Sequence, residues 1–299
     1  QVARRSLQVV ADAGGDQNLE ARAWNSLGLA LTNQERFPEA LESFEHSLKL
    51  RATLPDAERH RAVVSHNMGL LYEKWGRLAE AERLLRQSLA TKAELVGEES
   101  YEVWVTRHVL AMTIFEQGRL RDSEVLHKQN LELALKLFGD NSDNTATVYN
   151  ELAGINQDLG DYRAATAYYA RALDIEGRLL GEDSVDYAVT LNNFASLEES
   201  RGNAADAVRM YRRSFEVRKA KLGGENGATL RAEANLGRAL MRTGDLVAAE
   251  PLLGHALQVW SSRLAADAKD VLITRLGIAE WQIRRGRFAA PHTALDGLE

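Results

Sequence analysis

The sequence predicts an all-α chain built as a solenoid of stacked helical hairpins, and three observations predict it. Glycine recurs every 21 residues at Gly76, Gly97, Gly118, Gly139, Gly160, Gly181, Gly202, Gly223 and Gly244. Between these glycines the apolar residues follow helical spacing, as at Leu131, Leu135 and Phe138, or at Ala207, Met210, Tyr211 and Phe215. Alternate glycines, with Gly286 completing the set, align the chain on a 42-residue period. A fixed period of this length is the signature of a repeat array and takes precedence over any local reading.

Each interval is therefore one helix and a turn, and the chain reads as a single continuous array over residues 1–299. Gln1 opens in a helix-like stretch (Val2, Ala3, Leu7, Val9, Val10), a partial repeat over 1–15, so the chain is expected to be a piece of a longer protein. The first complete unit, 21–61, carries Trp24, Leu27, Gly28, Ala40, Phe44 and Leu48. Its Pro38 falls in a helix first turn, where the missing N–H costs little, and Pro55 falls in a loop. Units 62–103, 104–145, 146–187, 188–229 and 230–271 follow, and a partial repeat over 272–299 shows Gly277, Trp281, Gly286 and Phe288. Two sets of glycines do different work. After Gly97, Gly139, Gly181 and Gly223 a capping residue stands three positions on, at Ser100, Ser142, Ser184 and Asn226, which reads as a helix stop followed by a helix start. Gly76, Gly118, Gly160, Gly202, Gly244 and Gly286 occupy the tight turn inside each hairpin. Ala81, Ser123, Ala165, Ala207 and Ala249 form a small-residue register that lets two helices approach, and Leu89, Leu131, Leu173, Phe215 and Leu257 are read as the bulk that fills the gap.

These residues, with the small positions Gly28, Gly69, Ala111, Ala153, Ala195 and Gly237, resemble the tetratricopeptide repeat. The 42-residue period and the stretches LNNFASLEESRG and YRRSFEVRKAKLGGEN resemble its kinesin light chain type. The resemblance implies a right-handed superhelical solenoid of TPR-like hairpins that binds proteins or peptides. Ser123, His127 and Pro291 depart from the family pattern, which places an alanine, a leucine or aromatic, and an alanine there.

Composition narrows the function. Hydrophobic residues make up 45% and charged residues 27%, an ordinary globular balance. A formal net charge of -6 argues against a surface that tracks nucleic-acid phosphates. Cysteine is absent, which removes disulfides, thiolate metal sites and thiol nucleophiles. No apolar run reaches the roughly 18 residues that a membrane helix needs, so no membrane insertion by this segment is expected. The glycines are helix punctuation rather than a phosphate cradle, and no metalloprotease, nucleophile-elbow or kinase motif is present. Neither enzymatic chemistry nor a cofactor is expected. His66 and His108 lie 42 residues apart on neighbouring first helices, without the further ligands that a metal site needs. They read as solvent-facing residues or as peptide contacts.

In stacked hairpins the first helix of each unit lines the inner surface. The positions expected at that surface are Asn25-Ser26, His66-Asn67, His108-Val109, Asn150-Glu151, Asn192-Asn193 and Ala234-Asn235. Asparagine is a poor helix former, so its recurrence mid-helix needs a reason. An amide offers both donor and acceptor, and a row of Asn25, Asn67, Asn150, Asn192, Asn193 and Asn235 suits the backbone of an extended peptide. In the family that the chain resembles, asparagines at this point hold peptide backbones. The same lining carries Glu73, Glu116, Asp158 and Glu199, then Arg231, Arg238 and Arg242 on one helix face, with Arg284 continuing the stripe. Guanidinium groups suit an acidic end on the partner. The expected partner is a protein or peptide held in the concave groove, with self-association through the array ends as a further expectation. The alternative expectation is the sensing module of a larger signalling enzyme, such as a Ser/Thr kinase or caspase-like protease.

Overall fold

Ten of the glycines named above adopt positive φ, from 66° at Gly286 to 92° at Gly244, a region closed to most side chains. At Gly76 the turn closes with Gly76 N–H on Glu73 C=O at 2.9 Å and Arg77 N–H on Tyr72 C=O at 2.8 Å, the double bond of a left-handed helix stop. The capping residues do what their spacing predicts. Ser100, Ser142 and Ser184 accept from the N–H groups of Val103, Thr145 and Tyr187 at 3.2–3.3 Å, and Asn226 accepts from Ala228 at 2.9 Å.

The computed structural model describes residues 16–52 and 56–286, so the partial repeat 1–15, Pro55, Phe288 and Pro291 lie outside the described residues. Among the described residues there are thirteen α-helices and no strand. They divide into two compact units after Asp140. The first holds α1 (Gln17–Thr32), α2 (Phe37–Arg51), α3 (Ala57–Lys74), α4 (Leu78–Val96), α5 (Tyr101–Glu116) and α6 (Leu120–Phe138). The second holds α7 (Asp143–Asp158), α8 (Tyr162–Leu179), α9 (Val185–Ser200), α10 (Ala204–Leu222), α11 (Gly227–Arg242), α12 (Leu246–Arg263) and α13 (Lys269–Arg284). Odd-numbered helices are the first helix of a hairpin and even-numbered ones the second. Pro38 sits in the first turn of α2.

Small residues set the helix spacing. A Cβ on Gly28 would come within 2.6 Å of Phe44, one on Gly69 within 2.6 Å of Leu85, and one on Gly237 within 2.9 Å of Leu253. The buried bulk is therefore the register Phe44, Leu85, His127, Tyr169, Tyr211 and Leu253, all nearly inaccessible. This corrects the sequence reading, which gave that role to Leu89, Leu131, Leu173, Phe215 and Leu257; those five are only half-buried. The physical reason is helix rotation, since a residue four positions on lies further round the helix, toward its rim.

Candidate partner-binding face

Asparagines on neighbouring first helices bond to one another. In the first unit Asn67 Nδ2 on α3 donates to Asn25 Oδ1 on α1 at 2.9 Å. In the second unit Asn193 Nδ2 on α9 donates to Asn150 Oδ1 on α7 at 3.2 Å, and Asn235 Nδ2 on α11 donates to Asn192 Oδ1 at 3.0 Å. Asn67 is buried and the other five are half-buried. Each amide in these pairs still has hydrogen-bonding capacity. Asn25, Asn150 and Asn192 each accept at Oδ1, and their two Nδ2 protons have no acceptor among the described residues.

The three arginines on α11 are not equivalent. Arg231 pairs with Asp270 on α13 at 2.9 Å, and Arg242 pairs with Glu199 on α9 at 2.6 Å. Arg238 has no carboxylate partner among the described residues; its Nη2 donates to Asn235 Oδ1, and its aliphatic stem passes the bare face of Gly277 on α13. Arg284 pairs with Glu280 on its own helix. The stripe of cations expected from the sequence is thus reduced to one guanidinium without an acidic partner.

The carboxylates are as locally engaged. Glu73 accepts from the Thr113 hydroxyl at 2.9 Å, and burial is the main reason its carboxyl sits above the usual range. Burial also raises Asp158. Tyr211 reaches Glu199 at 3.5 Å, and burial followed by the Glu199 charge pushes its phenol up to about 12. Sequence reading placed Tyr211 among the core residues and did not single out Tyr169, yet both bring a hydroxyl to this face. Tyr169 reaches Gln157 at 3.4 Å, and Gln157 Nε2 donates to Ser196 at 3.3 Å. A signal existed: these tyrosines stand 42 residues apart where other repeats carry Phe44, Leu85 and Leu253.

The histidines part company. His66, expected at the surface or against a peptide, is only 9% exposed. Burial, then the nearby Lys92 charge, lowers it to about 4, so it is neutral at ordinary pH. The apolar neighbours of a buried helix face make this the physical outcome. His108 is half-buried and stacks on Trp104 at 5.8 Å.

The tetratricopeptide repeat family model matches residues 4–94, 102–175 and 146–220. A search of curated protein sequences finds no match. Among solved structures, the chain is similar to BtubC (BKLC) from P. vanneervenii, at 25% identity and TM-score 0.64, covering 77% of this chain and 91% of that one. The nearly identical TPR-like repeats of a Podosopora anserina kinesin light chain align at 20% identity and TM-score 0.57, covering 69% and 98%. The apo form of the quorum sensor NprR from B. thuringiensis aligns at 15% identity and TM-score 0.72, covering 99% and 78%.

Proposed function

Because the chain belongs to the tetratricopeptide repeat family, as an array of kinesin light chain type, we propose that it binds an extended peptide or partner segment along the first helices of its second unit, α7, α9 and α11. At the coarser level the chain is a protein-interaction module. The observation that carries the finer reading is the row of amide pairs. In the second unit Asn150 and Asn192 are held in place by a bond to their oxygen while their N–H groups remain available. Such donors read the carbonyls of any peptide backbone and so give affinity without strict sequence preference. Preorganisation by the neighbouring amide lowers the entropy that binding would otherwise lose. Arg238, without an acidic partner among the described residues, supplies the group that orients an acidic end.

The test is selection of peptides from a displayed random library against the wild-type chain, followed by affinity measurement on two variants. Asn193→Ala and Arg238→Glu should each weaken the selected peptides by about five- to tenfold, the worth of one hydrogen bond or charged contact, with far-UV circular dichroism unchanged. Equal affinities across the three proteins would remove the first-helix face as the binding surface.

A further inference from the structure

Outside this row of second-unit contacts, the start of the first unit contains a polar cavity of about 680 Å3 between α1, the end of α2 and the start of α3. Three guanidiniums line it, from Arg22, Arg51 and Arg59, together with Asn25, Asp56 and His60. We propose that this cavity is an oxyanion-binding site, taking a phosphate or carboxylate group between Arg22 and Arg59 above the buried charge of Arg51.

Arg51 is the unusual member, since a charged side chain only 6% exposed must be compensated. Its Nη1 lies 3.2 Å from His60 Nδ1, and its Nη2 donates to Asp56. Guanidinium is a donor only, so His60 Nδ1 is the acceptor and the imidazole is neutral with its proton on Nε2. That proton goes to Ser47 Oγ at 2.9 Å, and Ser47 in turn donates to Ala21 C=O at 2.6 Å. His60 therefore contributes no cation and locks the guanidinium in position. Burial, followed by the Arg22 charge, lowers the Arg51 pKa, which agrees with two like charges held close together.

Compensation is incomplete. Arg51 Nε has no hydrogen-bond partner, and Arg22 has no carboxylate partner among the described residues. Arg59 has only Glu102 at 3.8 Å, with both side chains largely exposed. Against three guanidiniums the cavity wall offers one carboxylate, Asp56, itself half-exposed. A small oxyanion fits this balance. Arg22 and Arg59 would donate to it directly, Asn25 would offer its amide protons, and Arg51 would act through its field from the floor.

The site is independent of the peptide reading, so the two fail separately. The experiment is isothermal titration of the whole chain with inorganic phosphate and, separately, with sodium acetate, at low ionic strength in a buffer free of both. Saturable one-to-one binding of at least one anion is expected. Arg22→Gln and Arg59→Gln, both at exposed positions, should each weaken it about tenfold, and Asp56→Asn should tighten it. Arg238→Glu should leave it unchanged. Phosphate binding more tightly than acetate would assign the ligand a phosphate group, and the reverse order a carboxylate. Absence of saturable binding to wild type, or equal affinities in wild type and both arginine variants, would overturn the proposal.

Discussion

One residue in the first hairpin breaks the glycine rule. Glu35 takes φ 59° at the position that Gly76 and its equivalents hold in later repeats, and Arg36 N–H closes the same turn on Leu31 C=O at 3.0 Å. The turn keeps the geometry of the glycine turns, and the backbone at Glu35 bears the strain. Placing an L-residue in the left-handed region costs on the order of 1–2 kcal/mol, so Glu35→Gly should raise stability by about 1 kcal/mol, read as a higher urea midpoint. A lower midpoint would mean that the Glu35 side chain contributes more than its backbone loses. The same scale explains two departures from the repeat pattern. Ser123 donates to Ala111 C=O at 2.9 Å, and His127, fully buried, places Nδ1 3.0 Å from Ser123 C=O, so the pair puts polar contacts where other repeats pack apolar side chains.

At the scale of the element, the two helices of a hairpin are tied by a polar register that apolar periodicity cannot reveal. Ser47, Ser88 and Ser214 on second helices donate to Ala21, Ala62 and Ala188 C=O on first helices, each at 2.6–2.7 Å. Asn130 takes the same place in the third hairpin, donating to Trp104 C=O at 3.1 Å and accepting from the Trp104 indole at 3.2 Å. Four residues further on, the register carries buried ionisable groups. Lys92 bonds Thr106 at 2.8 Å, and Glu176 on α8 accepts from Thr190 on α9 at 2.9 Å. Burial pushes the Glu176 carboxyl up to about 7 from an ordinary 4.5, the Thr190 bond opposing it. The folded state thus keeps a proton that the unfolded chain has released. This group's contribution is fully present below about pH 4.5 and is lost as pH rises toward about 7. Glu176→Gln should therefore match wild type in urea midpoint at about pH 4 and exceed it at about pH 8. A difference that does not change with pH would show that Glu176 is neutral, or charged, in both states.

For the whole molecule, the relevant quantity is a net charge of -6 spread over 43 acidic and 37 basic residues. Most arginines in the described residues are neutralised locally, as Arg119 is by Glu82 and Asp122, and Arg242 by Glu199. Long-range attraction of an acidic partner is therefore weak, and the proposed recognition would depend on single cations such as Arg238. Raising salt from about 0.05 to 0.5 M shortens the screening length severalfold, so a peptide that uses Arg238 should bind wild type less tightly at high salt. The Arg238→Glu variant should show a flatter salt response with the same peptide. Identical salt slopes for both proteins would place the charge–charge contact elsewhere.

What the sequence by itself determined is the repeat: helix, turn and cap positions follow from glycine at positive φ and from Ser or Asn three residues later, because glycine takes the left-handed region at little cost and the capping side chain reaches N–H groups only two or three residues away. The small positions Gly28, Gly69 and Gly237 were legible from the repeat, and the steric limit there is set by the side chains of Phe44, Leu85 and Leu253 across each hairpin. On the proposed binding face, the recurrence of Asn and Arg was legible in the sequence but their wiring was not. Asn193 meets Asn150, and Asn235 meets Asn192, one residue off the 42-residue register, and this offset depends on how adjacent helices are rotated. The inequality of Arg231, Arg238 and Arg242 depends on acids brought in from α9 and α13. Only the tertiary structure decides such pairings, because side chains dozens of residues apart compete for the same donor and periodicity carries no record of which one wins.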